Sequence, residues 1–283
     1  MDFNKIMVFG AGVMGSGIAQ VCLTAGAQVV VCDTFAPALE KSEANMKKAL
    51  AKLVSKGKMT QEAMDAALAR LSYTSDVAAA KDAELIIEAI FENVEAKQDV
   101  FRKISEVCSD DAVLASNTST ISITKIGSAV KDASRFLGMH FFNPVPAMKL
   151  LEMIRGIETS EEVVERVKKF GEEIGKICIL SKDSSGFIAN RIGSPMMNAA
   201  ANVFDSGIGS AADVDNAMKF GYGYPMGPLE LIDLVGVDVE VAVMEVLYEE
   251  FGDPYYKPAP ILKRMLAAGH LGRKTGKGFY EYK

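Results

Sequence analysis

The chain has 283 residues, of which 49% are hydrophobic and 24% charged, the balance of an ordinary folded soluble protein. Its formal net charge of −6 at pH 7 argues against nucleic acid as a main partner, because binding phosphates requires a basic excess. No apolar run reaches the roughly 18 residues of a membrane span, and no targeting signal opens the sequence. The four cysteines are scattered without a CxxC pair. We therefore expect a cytoplasmic protein that binds neither membrane nor nucleic acid and holds no metal.

Strand-like and helix-like segments alternate through about the first 180 residues, the pattern of βαβ units. In chain order we predict strand 5–9, helix 14–24, strand 28–32, helices 37–56 and 60–69, strand 85–89, helix 94–107, strands 112–115, 136–142 and 149–154, helix 161–174 and strand 177–180. The helical pair between the second and third strands is longer than a simple crossover requires. It therefore indicates a role beyond connection.

The character of the sequence changes after a turn-rich stretch near residue 183. Strand signals nearly vanish there, and helices are predicted over 187–204, 211–220, 229–250 and 260–268. The fold class is therefore α/β. We predict a Rossmann-type, mostly parallel sheet domain with a helical hairpin insertion over 1–183, followed by an all-helical C-terminal domain over 184–283.

Residues 10–15 read Gly-Ala-Gly-Val-Met-Gly, which fits the dinucleotide pattern G-x-G-x-x-G between a strand and a helix. In this pattern Gly10 allows a tight turn, Gly12 lets the backbone approach a pyrophosphate, and Gly15 permits close helix packing. Asp33 ends the next strand, where a carboxylate accepts hydrogen bonds from the adenosine ribose and repels a 2′-phosphate. We therefore predict NAD rather than NADP; the alternative is a turn that binds nothing.

Only His140 and His270 are available as histidine proton carriers. His140 lies in an otherwise apolar strand, where it fits a hydrogen-bonded core residue as well as a catalyst. Glu152 lies in the next strand-like run, also among apolar residues, and a carboxylate there requires an N–H or cationic partner. If the two side chains meet, Glu152 would fix the imidazole tautomer and stabilise the imidazolium. His270 is predicted to be an exposed residue at a helix end.

Several segments carry a family resemblance over essentially the whole chain. They are the glycine-rich 10–15, Ser-Asn-Thr-Ser at 116–119, Gly-Met-His-Phe-Phe-Asn-Pro at 138–144, Gly-Phe-Ile-Ala-Asn-Arg at 186–191, Tyr-Pro-Met-Gly-Pro at 224–228 and Gly-Lys-Gly-Phe-Tyr at 276–280. In this order they resemble the 3-hydroxyacyl-CoA dehydrogenase family, most closely its short bacterial 3-hydroxybutyryl-CoA dehydrogenases. The resemblance implies NAD-dependent interconversion of short-chain 3-hydroxyacyl-CoA and 3-ketoacyl-CoA.

The resemblance also implies roles for individual residues. The catalytic set would be His140 as acid and base, Glu152 as its orienting carboxylate, and Ser119 and Asn190 as holders of the reacting oxygen. Together with the glycine pattern, the NAD contacts would be Gly10, Gly12, Val13, Met14, Gly15, Asp33, Glu92, Lys97, Asn117, Asn143 and Lys274. The contacts to acyl-CoA would be Ser119, Lys56 and Asn143, and the basic stripe described next adds Lys52 to them.

A basic stripe supports the CoA prediction. Lys48, Lys52 and Lys56 recur every fourth residue, so they lie near one helix face and could meet the phosphates of CoA. A solvated basic face is the alternative for Lys48 and Lys52. Two residues depart from the family pattern: Ser185 replaces a proline, and Ala49 replaces a serine that contacts CoA in some relatives.

Two other functions are weighed against this one. A β-hydroxyacid dehydrogenase acting on small free acids would have a similar architecture, but that group uses a lysine base. A non-catalytic, crystallin-like NAD-binding protein would not require the set of Ser119, His140, Glu152 and Asn190. The apolar helices after residue 184 indicate a homodimer formed through the C-terminal domain.

Overall fold

The structure, a computed structural model, describes residues 1–282. The chain divides into two units, Met1–Ser184 and Ser185–Lys283. Eight strands form one sheet in the first unit. The strands are β1 (Lys5–Phe9), β2 (Gln28–Cys32), β3 (Leu71–Thr74), β4 (Leu85–Glu88), β5 (Val113–Ser116), β6 (Phe136–Phe141), β7 (Leu150–Arg155) and β8 (Ile177–Lys182). Their order in the sheet is β3-β2-β1-β4-β5-β6-β7-β8. Only β6 and β7 pair antiparallel, which confirms the predicted Rossmann-type, mostly parallel sheet.

Helices connect the parallel strands. They are α1 (Val13–Thr24), α2 (Ala36–Ser55), α3 (Gln61–Leu68), α4 (Val94–Val107), α5 (Ile123–Gly127) and α6 (Glu161–Glu173). Side chains mark several helix starts: Thr60, Asn93 and Ser160 each accept a hydrogen bond from the backbone N–H three residues later. The central strands β4 and β5 are buried at every position, as expected for strands covered on both faces.

The sequence analysis missed β3 and α5 in this unit. The edge strand β3 has four residues, which are too few for a pattern, and its pairing with β2 defines it. The helix α5 has five residues, which are too few for a helical pattern, and a distant carboxylate helps to hold its start. Asp183 accepts hydrogen bonds from the N–H groups of Ile123 at 2.9 Å and Thr124 at 2.8 Å. Ser122 is also a local cap, since its hydroxyl accepts from the N–H of Lys125 at 3.1 Å. The sequence analysis missed that signal, whereas the contacts with Asp183 span about 60 residues and could not be read locally.

The second unit is helical. Its helices are α7 (Ala189–Asp205), α8 (Ala211–Asn216), α9 (Pro228–Val235), α10 (Val237–Phe251) and α11 (Pro260–Ala267). The division between the units falls one residue after the boundary that the sequence predicts. Among residues 1–282, no helix combines the length and apolar character that crossing a bilayer requires.

Three predicted helix limits in this unit are wrong. The single helix 229–250 is two helices, because Gly236 has a φ of +115° and ends α9. The helix predicted from 187 begins at Ala189, since Phe187 has a positive φ of 50°. The helix predicted over 211–220 is α-helical only to Asn216 and continues as a π-helical turn, Ala217–Gly221. His270, which follows α11, is half-buried rather than exposed.

Buried carboxylates in the second unit differ in how well they are hydrogen-bonded. Asp233 accepts hydrogen bonds from the backbone N–H groups of Phe279 and Tyr280, each at 2.9 Å, and so ties the C-terminal segment to α9. Glu240 on α10 is 1% exposed, and its Oε1 has no hydrogen-bond partner among the residues that the structure describes. Burial raises the pKa of Glu240 from 4.5 to about 8, and a hydrogen bond with Ser194 offsets this only in part.

We expect Glu240→Gln to stabilise the protein more at pH 8 than at pH 5. The folded chain holds the Glu240 proton in a range where the unfolded chain has released it, so the free energy of unfolding falls as the pH rises from about 5 to about 8. The neutral amide removes this loss, which is on the order of 1–3 kcal/mol. Urea unfolding at the two pH values measures it. Parallel pH profiles for the two proteins would contradict the expectation.

Candidate active site

The glycine-rich turn after β1 has the geometry of a phosphate cradle. Gly10 has a φ of +113°, and a Cβ there would lie 2.5 Å from the carbonyl oxygen of Ala89. A Cβ on Gly15 would lie 1.8 Å from the carbonyl oxygen of Gly10, whereas Gly12 faces open space. The first turn of α1 has no side-chain cap. Its N–H groups and positive dipole end therefore suit a pyrophosphate.

Asp33 fixes the neighbouring strand end. Its Oδ2 accepts a hydrogen bond from the N–H of Ala11 at 2.7 Å, and its Oδ1 accepts one from the N–H of Phe35 at 2.9 Å. A carboxylate has about four acceptor positions, so Asp33 keeps capacity for ribose hydroxyls. Asp33 can therefore hold the glycine turn and accept hydrogen bonds from the adenosine ribose at the same time. Together with the glycine turn, it fits the binding of NAD.

Two cavities adjoin this turn within the first unit. We call the first the cofactor cavity; it has a volume of about 640 Å³, and its lining includes Gly10, Asp33, Phe35, Asp76, Phe91 and Val100. We call the second the α2 cavity; it has a volume of about 650 Å³, and its lining includes Val13, Ser16, Lys41, Asn45, Ala49 and Asn143. Gly12 and Phe35 line both, so the cavities meet at the glycine turn.

We expect Asp33→Asn to raise the dissociation constant for NADH by about tenfold or more, because hydrogen bonds to an ionised acceptor are stronger than those to an amide. The preference for NADH over NADPH should narrow, since the charge that repels a 2′-phosphate is lost. Fluorescence titration with both cofactors measures this. Asp110→Asn, an exposed site before β5, is the matched control. Unchanged affinity for both cofactors would contradict the prediction.

His140 and Glu152 lie directly opposite each other in the antiparallel pairing of β6 and β7. Side chains at opposed positions share one face of a sheet, and here Nδ1 of His140 lies 3.0 Å from Oε2 of Glu152. The imidazole is 6% exposed and the carboxylate is fully buried. The ring of Phe142 lies 4.4 Å from the imidazole, measured between centroids. This arrangement is that of a general base held by a carboxylate.

An ionic network around the buried ammonium of Lys97 lies beside the segment that contains Ser119. Lys97 is 1% exposed, and its Nζ lies 2.7 Å from Oε1 of Glu88 and 3.3 Å from Oε2 of Glu92. Oε1 of Glu92 accepts hydrogen bonds from the hydroxyl of Thr118 and, at 3.0 Å, from the N–H of Ser119. Burial raises the pKa of Glu92, but Lys97 and these hydrogen bonds outweigh it and hold that pKa below the usual value.

Glu88 is the member of this network that the sequence analysis missed. It is fully buried at the end of β4, and its Oε2 accepts a hydrogen bond from the Ser116 hydroxyl at 2.6 Å. An acidic residue closing an apolar strand was the available signal. The ammonium of Lys97, predicted to contact NAD, is directed to Glu88 and Glu92 in this structure. Its role as a cofactor contact stays a prediction.

The remaining predicted residues are distributed over both units. Oδ1 of Asn117 accepts a hydrogen bond from the N–H of Phe141 at 2.9 Å. Asn117 directly follows β5, and Phe141 is the residue after His140 on the neighbouring strand β6. Lys52 is exposed in the last turn of α2, and Lys56, also exposed, caps the C-terminal end of that helix. In the second unit, Asn190 lies in the first turn of α7. There Lys274 pairs with Asp238, with Nζ 2.5 Å from Oδ1.

Family models match nearly the whole chain. The model described as 3-hydroxyacyl-CoA dehydrogenase, NAD binding domain, matches residues 5–184. The model described as 3-hydroxyacyl-CoA dehydrogenase, C-terminal domain, matches residues 186–282. The two matches meet where the two structural units divide.

Curated relatives match over their full length. A 3-hydroxybutyryl-CoA dehydrogenase of Clostridioides difficile is 44% identical over 98% of this chain and 99% of the relative. One of Bradyrhizobium diazoefficiens is 43% identical over 99% of this chain and 96% of the relative. A crystal structure of (S)-3-hydroxybutyryl-CoA dehydrogenase from Ralstonia eutropha superposes with a TM-score of 0.96 at 43% identity, with 99% of each chain covered. These matches confirm the predicted family, cofactor and enzyme class: the chain belongs to the 3-hydroxyacyl-CoA dehydrogenase family of NAD-dependent oxidoreductases.

Proposed function

We propose that this chain catalyses the reversible, NAD-dependent oxidation of (S)-3-hydroxybutyryl-CoA to acetoacetyl-CoA. The contact between His140 and Glu152 carries the proposal, because it supplies an oriented acid and base on the same sheet as the dinucleotide-binding turn. The relatives named above act on this substrate by name, which supports the choice among 3-hydroxyacyl chains.

The proton step follows from the geometry at His140. Because Nδ1 faces Glu152, Nε2 is the ring nitrogen that takes the 3-hydroxyl proton during oxidation and returns it during reduction. Glu152 holds the neutral tautomer with the proton on Nδ1 and stabilises the imidazolium that forms. NAD, when bound, supplies the acceptor for the C3 hydride in oxidation and the donor in reduction.

The reacting oxygen requires hydrogen-bond donors where its charge develops. In this proposal the hydroxyl of Ser119 is one such donor, and Glu92 keeps the backbone of Ser119 in place through its N–H. The role of Asn190 as a second donor remains a prediction from the family resemblance.

The α2 cavity supports the assignment of a CoA ester. Lys41, Asn45 and Ala49 line it from successive turns of α2. Lys52 and Lys56 continue the same helix face outward and carry the positive charge that CoA phosphates require. Asn45 lies one turn from Ala49, where some relatives carry a serine, so it offers a polar group in place of the missing hydroxyl.

The experiment follows NADH absorbance with acetoacetyl-CoA and, in parallel, with free acetoacetate at equal concentration. Oxidation with the CoA ester alone is expected. Oxidation with the free acid would favour a β-hydroxyacid dehydrogenase. Tight NADH binding without oxidation of either substrate would favour a non-catalytic, crystallin-like protein. Acetoacetyl-pantetheine, which lacks the nucleotide, then isolates what the stripe on α2 contributes to KM.

The proposal includes a cytoplasmic homodimer, with the helical unit serving for substrate binding and dimerisation. Exposed apolar side chains in that unit support an interface: Phe220 is 82% exposed, Ile208 is 76% exposed and Ile192 is 67% exposed. Light scattering on the purified chain measures the mass. A monomer at micromolar concentration would contradict the dimer and leave the proposed reaction intact.

A further inference from the structure

Lys176, in the turn between α6 and β8, is a buried lysine that the proposed reaction does not use. It is 8% exposed, and its ammonium donates hydrogen bonds to the backbone carbonyls of Val145 at 2.5 Å and Met148 at 2.7 Å. Burial lowers the pKa of Lys176, and among residues 1–282 no carboxylate offsets that shift. Burying a charge costs free energy, so the contribution of this ammonium must lie in the segment that carries its two acceptors.

Both acceptors belong to the loop 142–149, which joins β6 to β7. Most of this loop is exposed, whereas Val145 is buried and anchors it. At the far end of the loop, the carbonyl of Lys149 accepts a hydrogen bond from the N–H of Ile177, the residue after Lys176, at 2.7 Å. The pairing of β7 with β8 therefore fixes the backbone of Lys176, and its ammonium draws two carbonyls of the loop, three residues apart, to one point.

The loop 142–149 forms part of the wall of the α2 cavity, through Asn143, Pro144, Val145 and Pro146. Val145 also packs closely against α1, since a Cβ on Gly17 would lie 2.9 Å from the Cβ of Val145. The position of Val145 therefore decides how closely the loop approaches α1. The hydrogen bond from Lys176 to the carbonyl of this residue thereby acts on the shape of the cavity.

We propose that Lys176 is a positioning residue, which holds the loop 142–149 as a preformed wall for the CoA ester without touching the ester itself. The inference rests on the proposed function and deepens it by naming a residue that prepares the substrate site. Hydrogen bonds from an ammonium are stronger than those from a neutral donor. A wall that is fixed before the ester arrives loses less conformational entropy on binding. The contact between His140 and Glu152 does not require this ammonium, because the pairing of β6 with β7 sets it.

The test measures the dissociation constant for acetoacetyl-CoA by calorimetry, kcat by steady-state kinetics and the dissociation constant for NADH. Lys176→Met keeps the aliphatic length and should weaken acetoacetyl-CoA binding by about tenfold, while kcat and NADH affinity change by less than about threefold. Amide hydrogen exchange at Ala147 and Met148, whose N–H groups donate to the carbonyl of Pro144, should become about tenfold faster. Lys168→Met, at an exposed position of α6, is the matched control and should change none of these quantities.

Two further variants separate the hydrogen bonds from the fold. Lys176→Arg keeps the charge and the N–H donors, so it should hold the affinity for acetoacetyl-CoA within about threefold of the native value. Lys176→Gln keeps a neutral donor of shorter reach. It should weaken acetoacetyl-CoA binding as Lys176→Met does, and it takes the place of that variant if the methionine chain does not fold.

Three outcomes would overturn the inference. Unchanged affinity for acetoacetyl-CoA would mean that the loop needs no ammonium to form the wall. Equal weakening of NADH and acetoacetyl-CoA would mean that Lys176 acts on the whole unit, and a loss confined to kcat would mean that it acts on His140 and Glu152. Binding is measured apart from turnover, so a native chain that binds acetoacetyl-CoA but does not reduce it would contradict the proposed function alone.

Discussion

His140→Ala is expected to lower turnover of acetoacetyl-CoA by about two or more orders of magnitude while NADH affinity stays nearly unchanged. The imidazole is the group that the proposed mechanism uses to carry the proton, and it lies on β6, away from the glycine turn that follows β1. A loss confined to kcat would therefore separate proton transfer from cofactor binding. Steady-state kinetics with acetoacetyl-CoA and a parallel NADH titration measure both quantities.

Glu152→Gln tests the second half of the pair with little change of shape. The amide cannot stabilise an imidazolium as a carboxylate does, and it can present an N–H to Nδ1, which would favour the wrong tautomer. We expect a turnover loss of the same order as for His140→Ala. Glu158→Gln, in the exposed turn after β7, is the matched control. A change below about threefold in either active-site variant would refute the role of that residue.

The pairing of His140 with Glu152 shows where sequence reasoning ends. Each side chain is recognisable as a polar residue in an apolar strand, which already calls for a partner. The antiparallel register of β6 and β7 makes the two residues opposite neighbours, and a shift by one position would turn one of them to the other face. The composition of the two strands does not determine that register. The sequence therefore predicts that each side chain has a polar partner, but not that His140 and Glu152 contact each other.

The helix limits that the sequence analysis predicted wrongly or missed depend on long-range hydrogen bonds and on single backbone angles. The start of α5 is capped by Ser122, but it is also held by Asp183, which lies far along the chain. The break between α9 and α10 depends on the positive φ of Gly236 inside an otherwise helical pattern. By contrast, the glycine turn and Asp33 were predictable, because their geometry is local and each glycine has a separate steric reason.

Lys97→Met is expected to lower the free energy of unfolding by about 3–5 kcal/mol, because removing one partner of a buried ion pair leaves an uncompensated charge. That charge is Glu88, which is fully buried and 2.7 Å from the ammonium. Methionine keeps most of the aliphatic length, so packing changes little. Urea unfolding measures the loss, and Lys103→Met, at an exposed position of the same helix α4, is the matched control.

The double variant Glu88→Gln with Lys97→Met separates the network from a direct cofactor contact. Replacing both charges removes the uncompensated carboxylate, so the double variant should be more stable than Lys97→Met alone. If Lys97 acts through Glu92 on the Ser119 segment, the single variant should lower kcat more than it weakens NADH binding. Weakened NADH binding with unchanged stability would instead favour the contact predicted from the family resemblance. Either result assigns a function to a lysine whose 1% exposure makes it resemble a core residue.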